Sequence, residues 1–94
     1  MPKLDSKGRL QIPLDLIHKL SVPLSTEIAV GYEYGKFVLL NSDAISNHKI
    51  ISFKKLDNQR RISFSNRILA ILDANMESEF LVYFSNDHIY MEVI

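Results

Sequence analysis

The sequence predicts a mainly β fold with short helices, built from two tandem β-β-α-β-β units related by a pseudo-two-fold axis. Three observations lead there. First, the chain matches itself at an offset of 52 residues without a gap: Lys3 falls on Lys55, Leu4 on Leu56, Asp5 on Asp57, Arg9 on Arg61, Glu27 on Glu79 and Val30 on Val82. A repeat of this kind signals duplicated architecture. Second, apolar residues alternate with polar ones in short runs bounded by turn residues, as in half-buried strands. Third, each unit is about 42 residues, close to the roughly 40-residue size below which a lone domain needs outside help. With no cysteine to supply disulfides or Cys-type zinc sites, the two units are expected to share one core. The 94 residues are therefore read as a single domain: repeat one 1–42, connector 43–50, repeat two 51–94.

The elements follow in order. Asp5-Ser6-Lys7-Gly8 makes a tight basic loop between strand residues, with Gly8 supplying the backbone freedom for a sharp turn. Leu10 and Ile12 alternate with polar neighbours as a short strand, and Pro13 suits the first helical position. Residues 14–20 form a short helix with Leu16, Ile17 and Leu20 on one face, ended by Ser21-Val22-Pro23. Residues 27–33 form a strand with Ile28, Val30 and Tyr32 on one face and Ala29 and Gly31 on the other. Tyr34-Gly35 turns the chain into 36–40, where Phe37-Val38-Leu39-Leu40 is apolar on both faces and so buried on both.

The connector is polar, with a helical turn that Ser42 or Asp43 could begin. The second unit then runs strand 51–56, loop 57–60, strand 61–64, helix 66–72, and hairpin strands 79–84 and 88–94 joined through Ser85-Asn86-Asp87. Tyr32, Tyr34, Phe37, Tyr83 and Phe84 lie on hairpin strands and are assigned to core packing.

Formal net charge is zero, but it is unevenly spread. Residues 49–67 carry +5 and residues 1–19 carry +2, whereas 68–94 hold no Lys or Arg and carry −5. Ten of the 11 basic residues lie in the two segments that contain the loops, so the local field is strongly positive there. His18, His48 and His88 have no ligand spacing and read as ordinary surface or hairpin histidines; no Gly-x-Ser-x-Gly element and no glycine-rich phosphate loop occurs. No convergent catalytic set is visible, so an enzyme is not expected, nor a metal, cofactor or small-molecule substrate. The N-terminus lacks an apolar leader core and the longest apolar run is Ile68–Leu72, which predicts a cytoplasmic protein with no membrane span.

Asp5-Ser6-Lys7-Gly8-Arg9-Leu10-Gln11-Ile12-Pro13, followed by a short helix and an apolar hairpin, resembles the swapped-hairpin DNA-binding domain of the AbrB, MazE and SpoVT families. Two copies in one chain, each with Asp-x-x-x-Arg, resemble the MraZ family, the tandem members of that superfamily. The resemblance implies that the two units interleave into one small swapped-hairpin β-barrel whose strand–loop–strand elements face double-stranded DNA, as in a transcription regulator. In the second unit Arg60 stands at the glycine position and Ser65 at the proline position. Helix positions often basic in that superfamily are Ile17, His18, Ala70 and Ile71 here, which reduces any helix contribution.

Basic clusters are the footprint of phosphate binding. The expected DNA-binding residues are Lys3, Lys7, Arg9, Lys54, Lys55, Arg60, Arg61 and Arg67, with Asp5, Gly8 and Asp57 shaping the loops. Asp73, Glu77 and Glu79 read as a solvated acidic face. A homo-oligomer is expected on DNA, since one barrel offers few contacts. The alternative is a protein-interaction module or antitoxin-like protein of the same fold without strong DNA binding.

Overall fold

The computed structural model describes residues 2–20, 27–40 and 48–94. The fold is mainly β, with two short helices. The elements are β1 (Arg9–Gln11), α1 (Leu14–Leu20), β2 (Glu27–Glu33), β3 (Lys36–Leu40), β4 (Lys49–Lys55), β5 (Arg61–Ser63), α2 (Asn66–Leu69), β6 (Phe80–Ser85) and β7 (His88–Val93). They build two antiparallel sheets: a ribbon of β1 and β5, and a five-stranded sheet in the order β4-β2-β3-β7-β6.

The core lies between the ribbon and one face of the larger sheet. Leu10 and Ile62 from the ribbon are fully buried with Ile28, Val30, Phe37, Leu39, Phe80, Ile89 and Met91. The Phe37 and Phe64 rings stack across this layer, 5.4 Å between centroids. Helix α1 packs against β6 and β7 and buries the face of Leu16, Ile17 and Leu20 that the spacing predicts. A smaller cluster of Ala29, Val38, Leu40 and Tyr90 occupies the opposite face of the sheet. Residues 37–40 are thus buried on both faces, as their unbroken apolar run requires.

Two registers position the site. In the ribbon Leu10 lies opposite Ile62; at the centre of the large sheet Val38 lies opposite Tyr90. Both pairs join residues 52 apart.

Several bounds differ from expectation. Strand β4 begins at Lys49 rather than 51, because Lys49 and Ile50 pair with Tyr32 and Gly31 past a bulge at Val30/Gly31; two connector residues are therefore strand. Strand β5 stops at Ser63: the next pair in register, Gly8 with Phe64, keeps the bond from the Phe64 amide to the Gly8 carbonyl at 2.8 Å, but the Gly8 amide turns back to the Asp5 carbonyl at 3.0 Å. The helix expected over 66–72 tightens after Leu69 into a 3₁₀ turn, Ala70–Leu72, which Asp73 ends in a left-handed conformation (φ 56°). The last hairpin pairs over 80–85 and 88–93 rather than 79–84 and 88–94, with a two-residue turn at Asn86 and Asp87, both at positive φ. The leading strand of the first unit amounts to a single bridge, Lys3 to Glu79. Tyr34 is 89% exposed at its turn rather than packed in the core. The expected helix stop at 21–23 and the helical turn at 42–43 lie outside the described residues. Among the described residues no helix is long and apolar enough to cross a membrane.

Candidate nucleic-acid interface

Each loop is built around an aspartate. The Asp5 Oδ1 accepts from the backbone N–H groups of Lys7 and Arg9, both at 2.9 Å, and its Oδ2 accepts from Arg9 Nε at 2.7 Å. The Asp57 Oδ1 accepts from the N–H groups of Gln59 (2.8 Å) and Arg61 (2.9 Å), and its Oδ2 from Arg61 Nε at 2.7 Å. Short side chains of this type bond locally to the backbone and hold turns. Both carboxyls sit below the ordinary carboxylate value. For Asp5 the Arg9 amide is the largest cause, with the Arg9 side chain and Lys7 amide adding to it against burial. For Asp57 burial pushes upward most, and the amides of Arg61 and Gln59 with the Arg61 guanidinium outweigh it.

The fourth residue of each loop takes a left-handed backbone: Gly8 at φ 75°, Arg60 at φ 61°. Glycine meets that demand without penalty, whereas a side chain costs about 1–2 kcal/mol. Arg60 is tied down twice: its carbonyl accepts from the Ile12 amide at 2.8 Å and its Nε donates to the Ile12 carbonyl at 3.2 Å. At the other end of the ribbon the Gly8 carbonyl accepts from Phe64. Each loop is therefore clasped to the strand that belongs to the other. The loop-tip residues Gly8 and Arg60 lie at opposite ends of the ribbon, roughly 13 Å apart along the strands by ordinary strand rise.

The strand alternation turns Leu10, Ile12, Ile62 and Phe64 inward and Arg9, Gln11, Arg61 and Ser63 outward. In register, Arg9 faces Ser63 and Gln11 faces Arg61. Gln11 reaches the second loop, donating from Nε2 to the Gln59 carbonyl at 3.0 Å. Arg61 also lies 4.0 Å from Asp5, linking the two loops. Gln11 and Ser63 are not among the residues expected from the charge pattern; their alternation with Leu10 and Ile62 carries the signal, and only the register sets them beside the arginines.

The structure brings Lys3 and Arg60 together in a shallow cleft of about 330 Å³ with Pro2, Gln11 and Pro13. Lys3 also lies 3.6 Å from Glu79. Lys7 is exposed at the first loop tip, Lys54 and Lys55 end β4 just before the second loop, and Arg67 is exposed on α2. Met76 lies against Gly8, so the turn carrying Asp73 and Glu77 flanks the first loop.

His18 is exposed on α1, while His48 and His88 are half-buried beside the hairpin ends and contact one another. His48 Nε2 is 3.0 Å from Glu33 Oε2, which also accepts from the Tyr90 hydroxyl at 3.4 Å. The His48 and His88 rings meet edge to face at 5.1 Å, and the Nδ1 atoms of both are buried without a protein partner. Burial holds His88 below its ordinary value, with His48 adding to the effect, and burial pushes Tyr90 up. This group sits at the sheet and its hairpin ends, not on the ribbon. Among the described residues no three His, Asp or Glu side chains converge as a metal site. Comparison with family models, with curated proteins and with solved structures finds no match.

Proposed function

We propose that this chain is a DNA-binding regulator that docks the β1–β5 ribbon and its two flanking loops on double-stranded DNA. The observation that carries the reading is the outward ribbon face, where Arg9, Gln11, Arg61 and Ser63 form one polar strip with a clasped basic loop at each end. A two-stranded ribbon fits the major groove, about 12 Å wide, where Arg pairs with guanine and Gln with adenine. Phosphate contacts from Lys3, Lys7, Lys54, Lys55, Arg60 and Arg67 would position it. The matching Asp5 and Asp57 networks, 52 residues apart, favour a tandem duplication around a pseudo-two-fold axis, closed as a swapped-hairpin barrel of the AbrB and MraZ kind.

The test is a duplex-binding selection from a randomised library, followed by anisotropy on the enriched sequence. Binding that weakens with Gln11→Ala chiefly on the enriched sequence, and with Arg60→Ala on every sequence, supports the reading. A chain that retains no duplex above background at low salt overturns it.

A further inference from the structure

The five-stranded sheet has two edges, and they are built differently. Edge strand β4 carries Lys49, Lys54 and Lys55, and its ladder with β2 is broken by the bulge at Val30/Gly31. Lysines and bulges are the usual means of blocking strand addition. Edge strand β6 reads Phe80-Leu81-Val82-Tyr83-Phe84-Ser85, with no charge, no proline and no glycine. It has none of those protections.

Only one end of the β6 edge is covered. The Phe80 amide donates to the Pro2 carbonyl at 2.9 Å, and Lys3 bridges Glu79. Backbone polar groups alternate sides along a strand. Since Phe80 points away from β7, so do Val82 and Phe84, while Leu81, Tyr83 and Ser85 face Glu92, Tyr90 and His88 of β7. Among the described residues no strand pairs with β6 beyond Phe80 on that side, so the N–H and C=O groups of Val82 and Phe84 have no strand partner there. Their side chains are only half-buried against the main core, and Leu81 is exposed on the other face.

We infer that β6 is a self-association edge: a second copy of this chain adds its own β6 antiparallel, across a two-fold axis at Tyr83. Three features favour a second copy. The strand has no charge, so identical strands meet without like charges opposed in the ladder. On the other side of the sheet the corresponding edge, that of β2, is already closed by an antiparallel strand of this chain, in the register Glu27 to Lys55. Pro2 blocks the ladder at Phe80, which leaves one compact register. Val82 faces Phe84 of the second copy, Tyr83 faces Tyr83, and two hydrogen-bonded pairs supply four main-chain bonds. The same pairing completes the burial of Val82 and Phe84. The contact is isologous and closes at two copies. It leaves the β1–β5 ribbon free and does not depend on the DNA reading.

The experiment is sedimentation velocity on the full chain from about 1 to 300 µM, a range that spans weak strand-edge affinities. A concentration-dependent dimer is expected. Val82→Pro removes an outward N–H that the β7 ladder does not use, so it should keep the monomer folded by circular dichroism. It should weaken the dimer about tenfold to a hundredfold, through two lost bonds. Tyr83→Lys and Tyr83→Glu provide a control that folding defects cannot mimic. Each alone should be monomeric, because like charges meet at the axis, and an equimolar mixture should restore the dimer. A chain that stays monomeric throughout overturns the inference. So does a mixture that fails to reassociate, or a dimer lost on Lys54→Glu but not on Val82→Pro, which would place the contact at β4.

Discussion

At the level of single residues, the two loops pose the same backbone demand and answer it differently. Gly8 is at φ 75°, and a Cβ there would lie 2.8 Å from the Phe64 carbonyl oxygen. Gly8→Ala should therefore cost at least about 2 kcal/mol, read by urea denaturation. Arg60 tolerates φ 61° at a strain of about 1–2 kcal/mol. Arg60→Gly relieves that strain and gives up the Nε bond to Ile12, worth about 1 kcal/mol. Its stability should stay within about 1 kcal/mol of the parent while DNA affinity falls, which separates charge from folding. Acid should act in two stages. His88 is held below its ordinary value, so the unfolded chain takes up that proton first and stability declines as pH falls below about 6.5. Asp5 and Asp57 are also depressed. Their stabilisation is present above the ordinary carboxylate value, near 4, and is lost as pH falls through the folded values. Urea midpoints measured against pH should lose the first stage in His88→Gln and flatten at the second in Asp5→Asn and Asp57→Asn; profiles unchanged by these substitutions would refute the assignment.

Among the elements, the ribbon is the shortest and the most consequential. Each of its strands has three residues and contributes one fully buried side chain, Leu10 or Ile62, set opposite each other. Leu10→Ala and Ile62→Ala should each cost about 2–5 kcal/mol, and the double variant should cost less than the sum, because one shared cavity serves both. Thermal or urea unfolding of the four proteins checks it. Where local pattern decides, the sequence is readable: α1 over 14–20, β2 and β3 over 27–33 and 36–40, and the Asp-x-x-x-Arg loops all rest on spacing and turn chemistry. Where pairing decides, it is not. Lys49 and Ile50 join β4 because Tyr32 and Gly31 offer them partners, which no local pattern encodes. The ribbon ends at Ser63 because the amide of Gly8, which lies opposite Phe64, donates to Asp5 within the first loop rather than across the ribbon. The site divides the same way. The loop residues are legible as a cluster of charge, whereas Gln11 and Ser63 join them only through the cross-strand register. The His48–Glu33–His88 group is assembled from separate hairpin ends, and lone histidines carry no sign of that.

Over the whole molecule, charge asymmetry should make the two loops unequal. The +5 segment, 49–67, contains the second loop, and that loop shares its cleft with Lys3. The first loop has Lys7 at its tip, but the turn with Asp73 and Glu77 lies beside it through Met76. A phosphate approaching the second loop meets mostly positive charge; one approaching the first meets both signs. Local charge of this kind sets affinity where total charge is zero. If four to six phosphates are neutralised per chain, log K against log salt should fall with a slope of roughly −4 to −5. Arg60→Ala should weaken binding more than Lys7→Ala and reduce the slope by about 1. Arg9→Ala and Arg61→Ala will weaken binding too, but each also removes the partner of a loop aspartate, so their unfolding curves must be measured alongside. Lys36→Ala, on the β2–β3 hairpin over the Tyr83 and Tyr90 rings, should leave the slope unchanged. Titrations of these variants at several salt concentrations discriminate cleanly. Equal losses from Lys7→Ala and Arg60→Ala would mean that the acidic turn does not screen the first loop. A slope near zero in the parent would remove phosphate contact from the mechanism altogether.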